Sequence, residues 1–328
     1  MSEQALLIGV DGGQTATKAV VATVDGTILG LGRGGPSDHF HGPDGEERNR
    51  RAIHGAIGAA LAAAGSPAGP VAAVGLGLTG APTGGEPVDV VERIVRQLLA
   101  TDRIVVAADY ISNLAGASGG DPGVVVIAGG GAIAYGRDAT GRDAIAGGFG
   151  FLLGDEGSAF DIGRRAIAAA CRASDGRDSA TMLEQLVLDA FDLTEMRQIT
   201  RVVYHADFSR ERISLLAPLV FQAMAEGDQV ATAIVRTAGE ELGRAAVAVI
   251  DQLGLAVGAV VYPTGGVFAA GAAITDSFAT ILARHYPTAE IRPPRFPPTI
   301  GALLLAQRAS DRPLDPNWLA RVDASLER

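Results

Sequence analysis

The sequence lacks the cysteines that a disulfide framework or a thiolate-rich metal site would need. Cys171 is the single cysteine among 328 residues, which excludes an internal disulfide and a zinc site built mainly from thiolates. It lies on the apolar face of a predicted helix, where we expect it to pack in the core. This cysteine usage is consistent with a reducing compartment.

Long apolar stretches and a basic leader are also missing. Residues 1–4 lead into a short predicted strand with neither a basic region nor a long apolar region. No stretch approaches the roughly 20 apolar residues of a membrane-spanning helix. These absences predict a cytoplasmic protein without a membrane partner.

Positive charge is scarce and scattered. The chain has 27 Lys and Arg residues against 37 Asp and Glu residues, and its formal net charge is −10 at pH 7. Nucleic-acid-binding proteins carry a concentrated basic surface, so the sequence predicts a small-molecule ligand and no nucleic-acid partner. A bound anion would need local backbone N–H groups, helix N-termini or a metal ion.

What the sequence does contain is typical of a globular α/β protein. Hydrophobic residues make up 48% and charged residues 20%, and strand patterns alternate with helix patterns. A chain of this length usually forms more than one core, and a strand, glycine corner and strand recur in each half. Residues 116–123, which are rich in glycine, predict a boundary between an N-terminal domain, residues 1–117 joined by helices at about 298–328, and a C-terminal domain, residues 118–297.

Glycine-rich corners follow the first strand of each predicted half. Glycines at a strand end let backbone N–H groups approach a phosphate without an intervening Cβ. Asp-Gly-Gly is also common in hairpin turns, and that alternative remains open for the first corner. The first corner consists of Asp11, Gly12, Gly13, Gln14 and Thr15, and the second of Gly129, Gly130 and Gly131.

Asp109 follows the predicted strand Ile104–Ala108. The carboxyl ends of such strands form the edge at which α/β proteins bind ligands, which makes Asp109 a candidate general base. Alternatively, Asp109 caps a helix that begins near Ser112. The spacing alone is compatible with both roles.

Residues 147–158 form a glycine-dense run that leads into a helix predicted to begin at Ala159. Ser158 and Asp161 predict a capping box at the start of that helix. Capping explains the polar end of the run. It does not explain the glycines before it.

Gly265 and Gly266 follow the predicted strand Gly258–Tyr262. This arrangement suits backbone contact with a nucleotide, and a simple turn is the alternative. No Gly-Lys pair followed by Ser or Thr is present in the chain. The protein is therefore not a P-loop NTPase.

Asp38, His39 and His41 lie in a polar loop after the third predicted strand. No further carboxylate or thiolate completes a recognisable metal-ligand set in that loop. We therefore expect His39 to act as a hydrogen-bonding residue and not as a metal ligand.

Taken in order, these motifs resemble those of the BadF/BadG/BcrA/BcrD ATPase family, within the actin, hexokinase and Hsp70 superfamily. They are most similar to the N-acetylglucosamine kinases of that family, and the resemblance spans nearly the whole chain. The matching positions are Gly9–Thr15 (first phosphate motif), Asp38 and His39 (sugar-contacting loop), Asp109 (catalytic aspartate), Gly129–Ala132 (second phosphate motif), Gly147–Phe160 (the family's glycine-rich run), Gly265 and Gly266 (adenosine motif) and Thr299–Ala302 (closing helix).

The resemblance implies an α/β fold of two actin-like, ribonuclease H-like domains hinged around a nucleotide cleft. It also implies a homodimeric, ATP-dependent kinase that phosphorylates the 6-hydroxyl of N-acetylglucosamine or a close relative. Asp109 would be the general base, and Mg²⁺ would be held near Asp11. The sugar hydroxyls would be bound by Asp38, His39, Gly148, Phe149 and Asp155.

Several residues depart from the family pattern. Gln14 replaces the third glycine of the first motif. Gly130 and Ala132 replace threonine and serine in the second motif, which removes hydroxyl contacts to phosphate. Phe149 stands where these kinases tend to carry tryptophan, and Asp38 replaces their asparagine. An extra carboxylate would favour a free amine, as in glucosamine, so the sugar itself is left open.

Two other functions remain as alternatives. An activator ATPase of a radical acyl-CoA dehydratase or reductase would share an iron–sulfur cluster across a dimer, which needs two cysteines from each subunit. A non-catalytic sugar sensor that regulates transcription would need a DNA-binding segment, and no helix-turn-helix pattern precedes the first strand. The single cysteine disfavours the first alternative, and the acidic charge disfavours the second.

Overall fold

The computed structural model describes residues 5–37, 44–67, 69–80 and 86–327. The chain divides into two compact units: unit 1 comprises Met1–Asp121 with Pro294–Arg328, and unit 2 comprises Pro122–Pro293. The domain limits predicted from the sequence, after residue 117 and near residue 298, stay a prediction. None of the described helices is long and apolar enough to cross a membrane.

Each unit contains one five-stranded sheet within the described residues. The strands of unit 1 are β1 (Leu6–Gly12), β2 (Thr17–Thr23), β3 (Ile28–Gly34), β4 (Val71–Leu78) and β5 (Ile104–Ala108). Those of unit 2 are β6 (Gly123–Ala128), β7 (Ala132–Arg137), β8 (Asp143–Gly147), β9 (Val260–Thr264) and β10 (Glu290–Ile291). The spatial order is β3-β2-β1-β4-β5 in unit 1 and β10-β9-β6-β7-β8 in unit 2.

The helices of unit 1 come from both ends of the chain, and those of unit 2 from its middle. In chain order they are α1 (Gly45–Ala63), α2 (Glu86–Arg96), α3 (Asp109–Ser118), α4 (Ala159–Ser174), α5 (Leu183–Ala190), α6 (Ile199–Val203), α7 (Glu211–Ser214), α8 (Ala217–Ala225), α9 (Gln229–Leu253), α10 (Gly266–Ala269), α11 (Ala272–His285), α12 (Pro298–Ala309) and α13 (Pro316–Leu326). Unit 1 therefore holds α1 to α3 with α12 and α13.

The two sheets share one topology. The central strand β1 pairs antiparallel with β2 and parallel with β4, and the central strand β6 pairs antiparallel with β7 and parallel with β9. β3 and β8 extend the antiparallel sides, whereas β5 and β10 extend the parallel sides. The repeat of strand, glycine corner and strand that the sequence predicted is confirmed.

Helices cover both faces of the sheet in unit 1. Ile8 of β1 packs with the apolar residues of α1 and α2, whereas Leu7 packs with those of α12 and α13. On the Leu7 face, a Cβ added to Gly9 would lie 2.5 Å from the backbone nitrogen of Leu303. Only glycine permits this approach of α12 to the strand. Because side chains alternate along a strand, Asp11 belongs to the same face.

One apolar cluster in the described part of unit 2 joins its sheet to α4, α9 and α11. Val124 and Val126 of β6 pack there with Ile162, Leu242 and Phe278. These helices therefore cover one face of β6. The second glycine corner continues directly from the end of that strand.

The stretch of residues 116–123, which the sequence predicted as a boundary, begins inside a helix. α3 runs to Ser118 and ends at Gly119, which has a left-handed backbone. A Cβ on Gly116 would lie 2.8 Å from the Pro297 carbonyl oxygen, so this glycine permits close packing and does not break the chain. The domain boundary that the sequence places in this stretch stays a prediction.

Candidate active site

The corner after β1 is a hairpin turn. The Gly13 amide donates to the Ala16 carbonyl at 3.1 Å, and Thr15 at the tip is exposed. A Cβ on Gly12 would lie 2.5 Å from Leu78 Cδ2, so packing requires glycine there. The hairpin alternative is confirmed as the local structure. The phosphate contact of the corner stays a prediction.

Asp11 lies directly opposite Lys18 in the antiparallel pairing of β1 and β2. Burial raises the pKa of Asp11 to about 6, while the positive charge of Lys18 lowers it and the negative charge of Asp109 raises it. Lys18 is the only lysine of the chain, and sequence analysis gave it no role. Counting residues back across the predicted hairpin would have placed it beside Asp11.

Asp109 is the first residue of α3 and follows β5 directly. Its Oδ2 accepts a hydrogen bond from the Thr79 hydroxyl at 2.8 Å. Burial raises the pKa of Asp109, and the Thr79 hydroxyl partly opposes that rise. The alternative of a helix that begins near Ser112 is wrong, since the Ser112 hydroxyl already lies in the first turn and donates to the Asp109 carbonyl at 2.9 Å.

Strand register brings the two carboxylates to one edge of the sheet. Gly12 of β1 pairs with Leu78 of β4, and Leu78 pairs with Ala108 of β5. Asp11 and Asp109 therefore lie two strand spacings apart, roughly 10 Å between backbones. The carboxyl ends of parallel strands form the edge at which α/β proteins bind ligands. The electrostatic effect of Asp109 on Asp11 is consistent with this placement.

The described residues contain no group of three or more His, Cys, Asp or Glu side chains that could hold a metal ion. Mg²⁺ often uses one or two carboxylates together with nucleotide phosphates and water molecules. Asp11, which is partly buried at the strand edge, fits that mode of binding. A cage built only from protein side chains does not fit the described part of the chain.

The second glycine corner, between β6 and β7, presents open backbone. The Gly129 amide donates to the Gly131 carbonyl at 2.9 Å, and the Gly129 carbonyl accepts from the Ala159 amide at 2.8 Å. A Cβ on Gly129 would meet no described atom within 4 Å. The backbone is thus fixed on one side and accessible on the other, which suits the approach of a phosphate.

Asp155 joins the glycine-dense run to this second corner. Its side chain is buried, its backbone is left-handed with φ 62°, and its Oδ1 accepts from the Ala132 amide at 3.1 Å. Burial raises the pKa of Asp155, and the Ala132 amide and then the charge of Arg210 lower it. The carboxylate therefore supports the corner. Its contact with a sugar stays a prediction.

Backbone conformation explains the first three glycines of the run. Gly147, Gly148 and Gly150 all have positive φ values, which side chains other than glycine rarely adopt. The Gly148 amide donates to the Ala132 carbonyl at 3.1 Å. The phenyl ring of Phe149 is exposed, so its side chain is accessible to a ligand.

Ser158 caps the helix after the run as predicted, but the second hydrogen bond of a capping box goes to the residue before the cap. Ser158 is the N-cap of α4, and its hydroxyl accepts from the Asp161 amide at 3.1 Å. The Asp161 carboxylate in turn accepts from the Gly157 amide at 3.1 Å. This end of the run therefore has a structural role.

Gly265 and Gly266 lie at the same sheet edge as the second corner. The strand before them, β9, is parallel to β6, and Thr264 pairs with Ile127. Gly265 has φ 99°, and a Cβ there would lie 2.3 Å from the Ala128 carbonyl oxygen; one on Gly266 would meet no described atom within 4 Å. The structure is a turn into α10, and nucleotide contact stays a prediction.

Asp38 and His39, the predicted sugar-contacting pair, lie outside the described residues. The other predicted site residues fall into two groups. Unit 1 brings together Asp11, the first corner and Asp109. Unit 2 brings together the second corner, Gly148, Asp155 and the Gly265-Gly266 turn.

Comparison with known sequences gives matches over almost the full chain. The BadF/BadG/BcrA/BcrD ATPase family matches residues 8–306. An N-acetylmuramic acid/N-acetylglucosamine kinase of Clostridium acetobutylicum is 32% identical over 306 residues, which cover 93% of this chain and 99% of the relative. An N-acetyl-D-glucosamine kinase of Dictyostelium discoideum is 28% identical over 313 residues, covering 92% and 97%.

Solved structures match over a similar extent. The crystal structure of a candidate N-acetylglucosamine kinase from Chromobacterium violaceum has a TM-score of 0.74 and 31% identity, covering 92% of this chain and 99% of that one. A ROK family glucokinase from Streptomyces griseus has a TM-score of 0.55 and 19% identity, covering 93% and 100%. The second likeness is one of fold alone.

Proposed function

Because this chain belongs to the BadF/BadG/BcrA/BcrD ATPase family, we propose that it is an ATP-dependent amino-sugar kinase. The resemblance drawn from its motifs, and the fold of two actin-like domains that the resemblance implied, are confirmed. One observation carries the proposal: the clostridial amino-sugar kinase is 32% identical over 99% of its own length. The transferred group would be the γ-phosphate of ATP, and the acceptor the 6-hydroxyl of N-acetylglucosamine or a close relative.

Backbone amides of the glycine corners that do not already donate to a protein carbonyl would supply most of the nucleotide contacts. In this proposal the phosphates contact Gly12, Gly13, Gln14 and Thr15 in unit 1 and Gly129, Gly130 and Gly131 in unit 2, and the adenosine contacts Gly265 and Gly266. The open space beside Gly129 supports this assignment. Such amides hold an anion without a basic side chain, which suits a chain with a net charge of −10.

Asp11 would hold the metal ion. Held there, Mg²⁺ would supply positive charge that offsets the negative charge of the phosphates during transfer. Asp11 binds it as the ionised carboxylate, so a pKa of about 6 leaves the side chain ready to bind above that pH. Lys18, opposite Asp11, favours the ionised form through its positive charge.

Asp109 would act as the general base for the sugar hydroxyl. As the hydroxyl oxygen forms a bond to the γ-phosphorus, the bond from that phosphorus to the bridging oxygen of ADP breaks, and the hydroxyl proton moves to Asp109. A carboxylate whose pKa is raised by burial is a stronger base than an ordinary aspartate. The hydrogen bond from the Thr79 hydroxyl orients the carboxylate.

Sugar recognition is proposed for Asp38, His39, Gly148, Phe149 and Asp155. The exposed ring of Phe149 supports stacking against a sugar. Oδ1 of Asp155 already accepts a hydrogen bond from the Ala132 amide, so a sugar contact would use Oδ2. The homodimer and the cytoplasmic location that the sequence predicted stay predictions.

An activator ATPase is not favoured. The chain has one cysteine, Cys171, and that residue is partly buried in α4 against the core of unit 2. Burial raises the pKa of the Cys171 thiol, which disfavours the thiolate that an iron–sulfur cluster needs.

The proposal is tested by measuring ADP release from ATP with a panel of sugars. The panel contains N-acetylglucosamine, glucosamine, N-acetylmannosamine, N-acetylmuramic acid and glucose, and a reaction without sugar gives the background. We expect an amino sugar to raise ADP release well above that background. ATP binding with no sugar-dependent ADP release would contradict a kinase function.

A further inference from the structure

Two basic side chains lie directly opposite each other on the sheet of unit 1. Lys18 of β2 pairs with Arg33 of β3 in the antiparallel register, so both side chains leave the same face of the sheet, with Cβ atoms roughly 5 Å apart. Like charges in this arrangement repel each other and destabilise a sheet. The pair therefore does not serve to hold the two strands together.

The corresponding strands of unit 2 carry opposite charges at such a position. Arg137 of β7 lies opposite Asp143 of β8, and its Nε donates to the Asp143 carboxylate at 2.6 Å. In the part of the chain that the structure describes, neither Lys18 nor Arg33 has a side-chain hydrogen bond or a salt bridge of this kind. Their donors are thus available to a ligand.

The pair continues a row of side chains that begins with Asp11. Asp11 of β1 lies opposite Lys18, and the first glycine corner follows Asp11 directly in the chain. Both basic side chains are exposed, and Leu31, two residues before Arg33 on the same face, is 57% exposed. This part of the sheet face is therefore open to a ligand that also contacts the corner.

The strand order places the basic pair and the proposed base on opposite sides of Asp11. β1 lies between β2 and β4, and β5 lies beyond β4. Lys18 and Arg33 are therefore one and two strand spacings from Asp11, roughly 5 and 10 Å, on the side away from Asp109. In phosphoryl transfer the attacking and leaving oxygens lie roughly in line, on opposite sides of the phosphorus. With the attacking hydroxyl beside Asp109, the leaving group belongs on the side of the basic pair.

The leaving group of this reaction needs positive charge. When the bond from the γ-phosphorus to the bridging oxygen breaks, its electron pair stays on ADP, so negative charge grows there. Backbone amides offer only partial charges to such an anion, and the chain has a net charge of −10. Lysine and arginine both supply a full charge and are common phosphate ligands in proteins.

We propose that Lys18 and Arg33 bind the phosphates that remain on ADP and thereby stabilise the leaving group of the transfer. The inference rests on the proposed kinase function. It adds two charged side-chain contacts to a nucleotide site that otherwise consists of backbone amides and Asp11.

Calorimetry with ADP in the presence of Mg²⁺ tests the two contacts directly. Lys18→Met and Arg33→Met should each raise the Kd for ADP about 10-fold, the lower end of the range for a lost hydrogen bond to a charged group, because both side chains are exposed. Adenosine, which carries no phosphate, is measured by displacement of ADP. Its Kd should change less than about 2-fold in both variants.

Arg51→Met is the matched control. Arg51 is an exposed arginine of α1 that pairs with Glu47, and α1 packs on the opposite face of the sheet, so the Kd for ADP should change less than about 2-fold. Arg33→Lys keeps the positive charge and should retain most of the ADP affinity. Arg33→Met should leave the urea midpoint of the unliganded protein unchanged or higher, because it removes the repulsion from Lys18.

A phosphate at this position could also come from the phosphorylated sugar. Titration with N-acetylglucosamine 6-phosphate separates the two sources, since this ester has a phosphate and no nucleotide. Its affinity should be the same in the wild type and in Arg33→Met. A variant that binds ADP normally but loses affinity for the sugar phosphate would overturn the assignment to the leaving group.

Two further results would overturn the inference and leave the kinase function intact. One is sugar phosphorylation by a protein whose ADP affinity is the same in Lys18→Met and Arg33→Met as in the wild type. The other is an equal loss of affinity for ADP and adenosine, which is the result expected of a packing role. A wild-type protein that binds ADP through both residues but phosphorylates no sugar would instead contradict the proposed function and support the phosphate site.

Discussion

The carboxyl edges of the two sheets have the same strand order and different residues. In unit 1 the strand ends carry acids: Asp11 is the next-to-last residue of β1, and Asp109 directly follows β5. In unit 2 the corresponding edge carries glycines, with the corner at Gly129 after β6 and Gly265 after β9. One topology therefore provides an edge of side-chain carboxylates in one unit and an edge of backbone amides in the other.

Two sets of glycines, one in each unit, meet different structural requirements. In unit 1, Gly9 and Gly75 lie under α12, where added Cβ atoms would come within 2.5 Å and 2.2 Å of its backbone. In unit 2, the glycines at 147, 148, 150 and 157 have left-handed backbones. These two sets of glycines thus have different physical causes: close helix packing at Gly9 and Gly75, and backbone conformation in the glycine-dense run.

Replacing Asp109 should have the largest effect on activity of all the substitutions proposed for the two sheet edges. If unit 1 supplies the base, Asp109→Asn should lower kcat about 10²- to 10⁴-fold, because proton transfer in the transition state is lost. ATP affinity should change less than about 3-fold, measured by calorimetry. The exposed Asp102, at the opposite end of β5, gives the control Asp102→Asn, which should keep full activity. Retention of kcat in Asp109→Asn would refute the assignment.

The adjacent residues Gly265 and Gly266 test whether the sheet edge of unit 2 requires a backbone conformation that only glycine adopts readily. Gly265→Ala should lower the free energy of unfolding by about 2–4 kcal/mol, since it combines a disfavoured φ with overpacking against the Ala128 carbonyl. Gly266→Ala should change it by less than about 1 kcal/mol, because its Cβ would enter open space. Urea unfolding of both variants checks the difference. Equal stability of the two would contradict the backbone account.

Asp11 makes the stability of unit 1 depend on pH. The folded protein holds the Asp11 proton up to about pH 6, whereas the unfolded chain releases it near its ordinary pKa of 3.8. The stability contributed by the bound proton is thus present below about pH 4 and is lost as the pH rises to about 6. At pH 7 the ionised, partly buried carboxylate destabilises the fold.

Asp11→Asn should therefore be more stable than the wild type by about 1–3 kcal/mol at pH 7 without Mg²⁺ and nucleotide. The difference should vanish near pH 3.5. Urea unfolding across this pH range measures it, with Asp102→Asn as the control. A difference that does not depend on pH would show that burial of charge is not its cause.

The smallest expected effect concerns Gly129. If its backbone contacts phosphate, Gly129→Ala should weaken ATP binding about 10-fold, or about 1.4 kcal/mol, because the Cβ would occupy the space that the ligand needs. Unfolding free energy should change by less than about 1 kcal/mol. Gly58→Ala, in the exposed face of α1, should leave ATP affinity unchanged. If Gly129→Ala binds ATP as tightly as the wild type, this corner does not contact the nucleotide.

Local patterns were sufficient to predict much of the fold. The strand Ile104–Ala108 and the start of a helix at Ala159 were predicted with the bounds that the structure has. A short apolar run favours a strand, and a serine followed three residues later by an acid favours a helix start. The short strand β10 was missed, since Glu290–Ile291 carries no such pattern. The start of α3 was missed because a first-turn aspartate and an N-cap aspartate look alike in sequence.

The candidate site was only partly predictable. The corners and Asp109 have local signals: glycine after a strand and a carboxylate at a strand end. Contacts between segments that are distant in the sequence have none, so the position of Thr79 against Asp109 required the structure. Lys18 could have been placed opposite Asp11 by counting across the first hairpin. Arg210 is 55 residues from Asp155 in the sequence, and only the packing of α7 on α4 places it beside the run.

The most direct test of the central claim is the position of the phosphate in the product. After incubation with ATP, Mg²⁺ and N-acetylglucosamine, phosphorus–proton correlation NMR identifies the carbon whose oxygen carries the new group. The account predicts coupling of phosphorus to the protons on C6, with no product from Asp109→Asn on the same timescale. Coupling to the proton on C1, or release of inorganic phosphate alone, would contradict it.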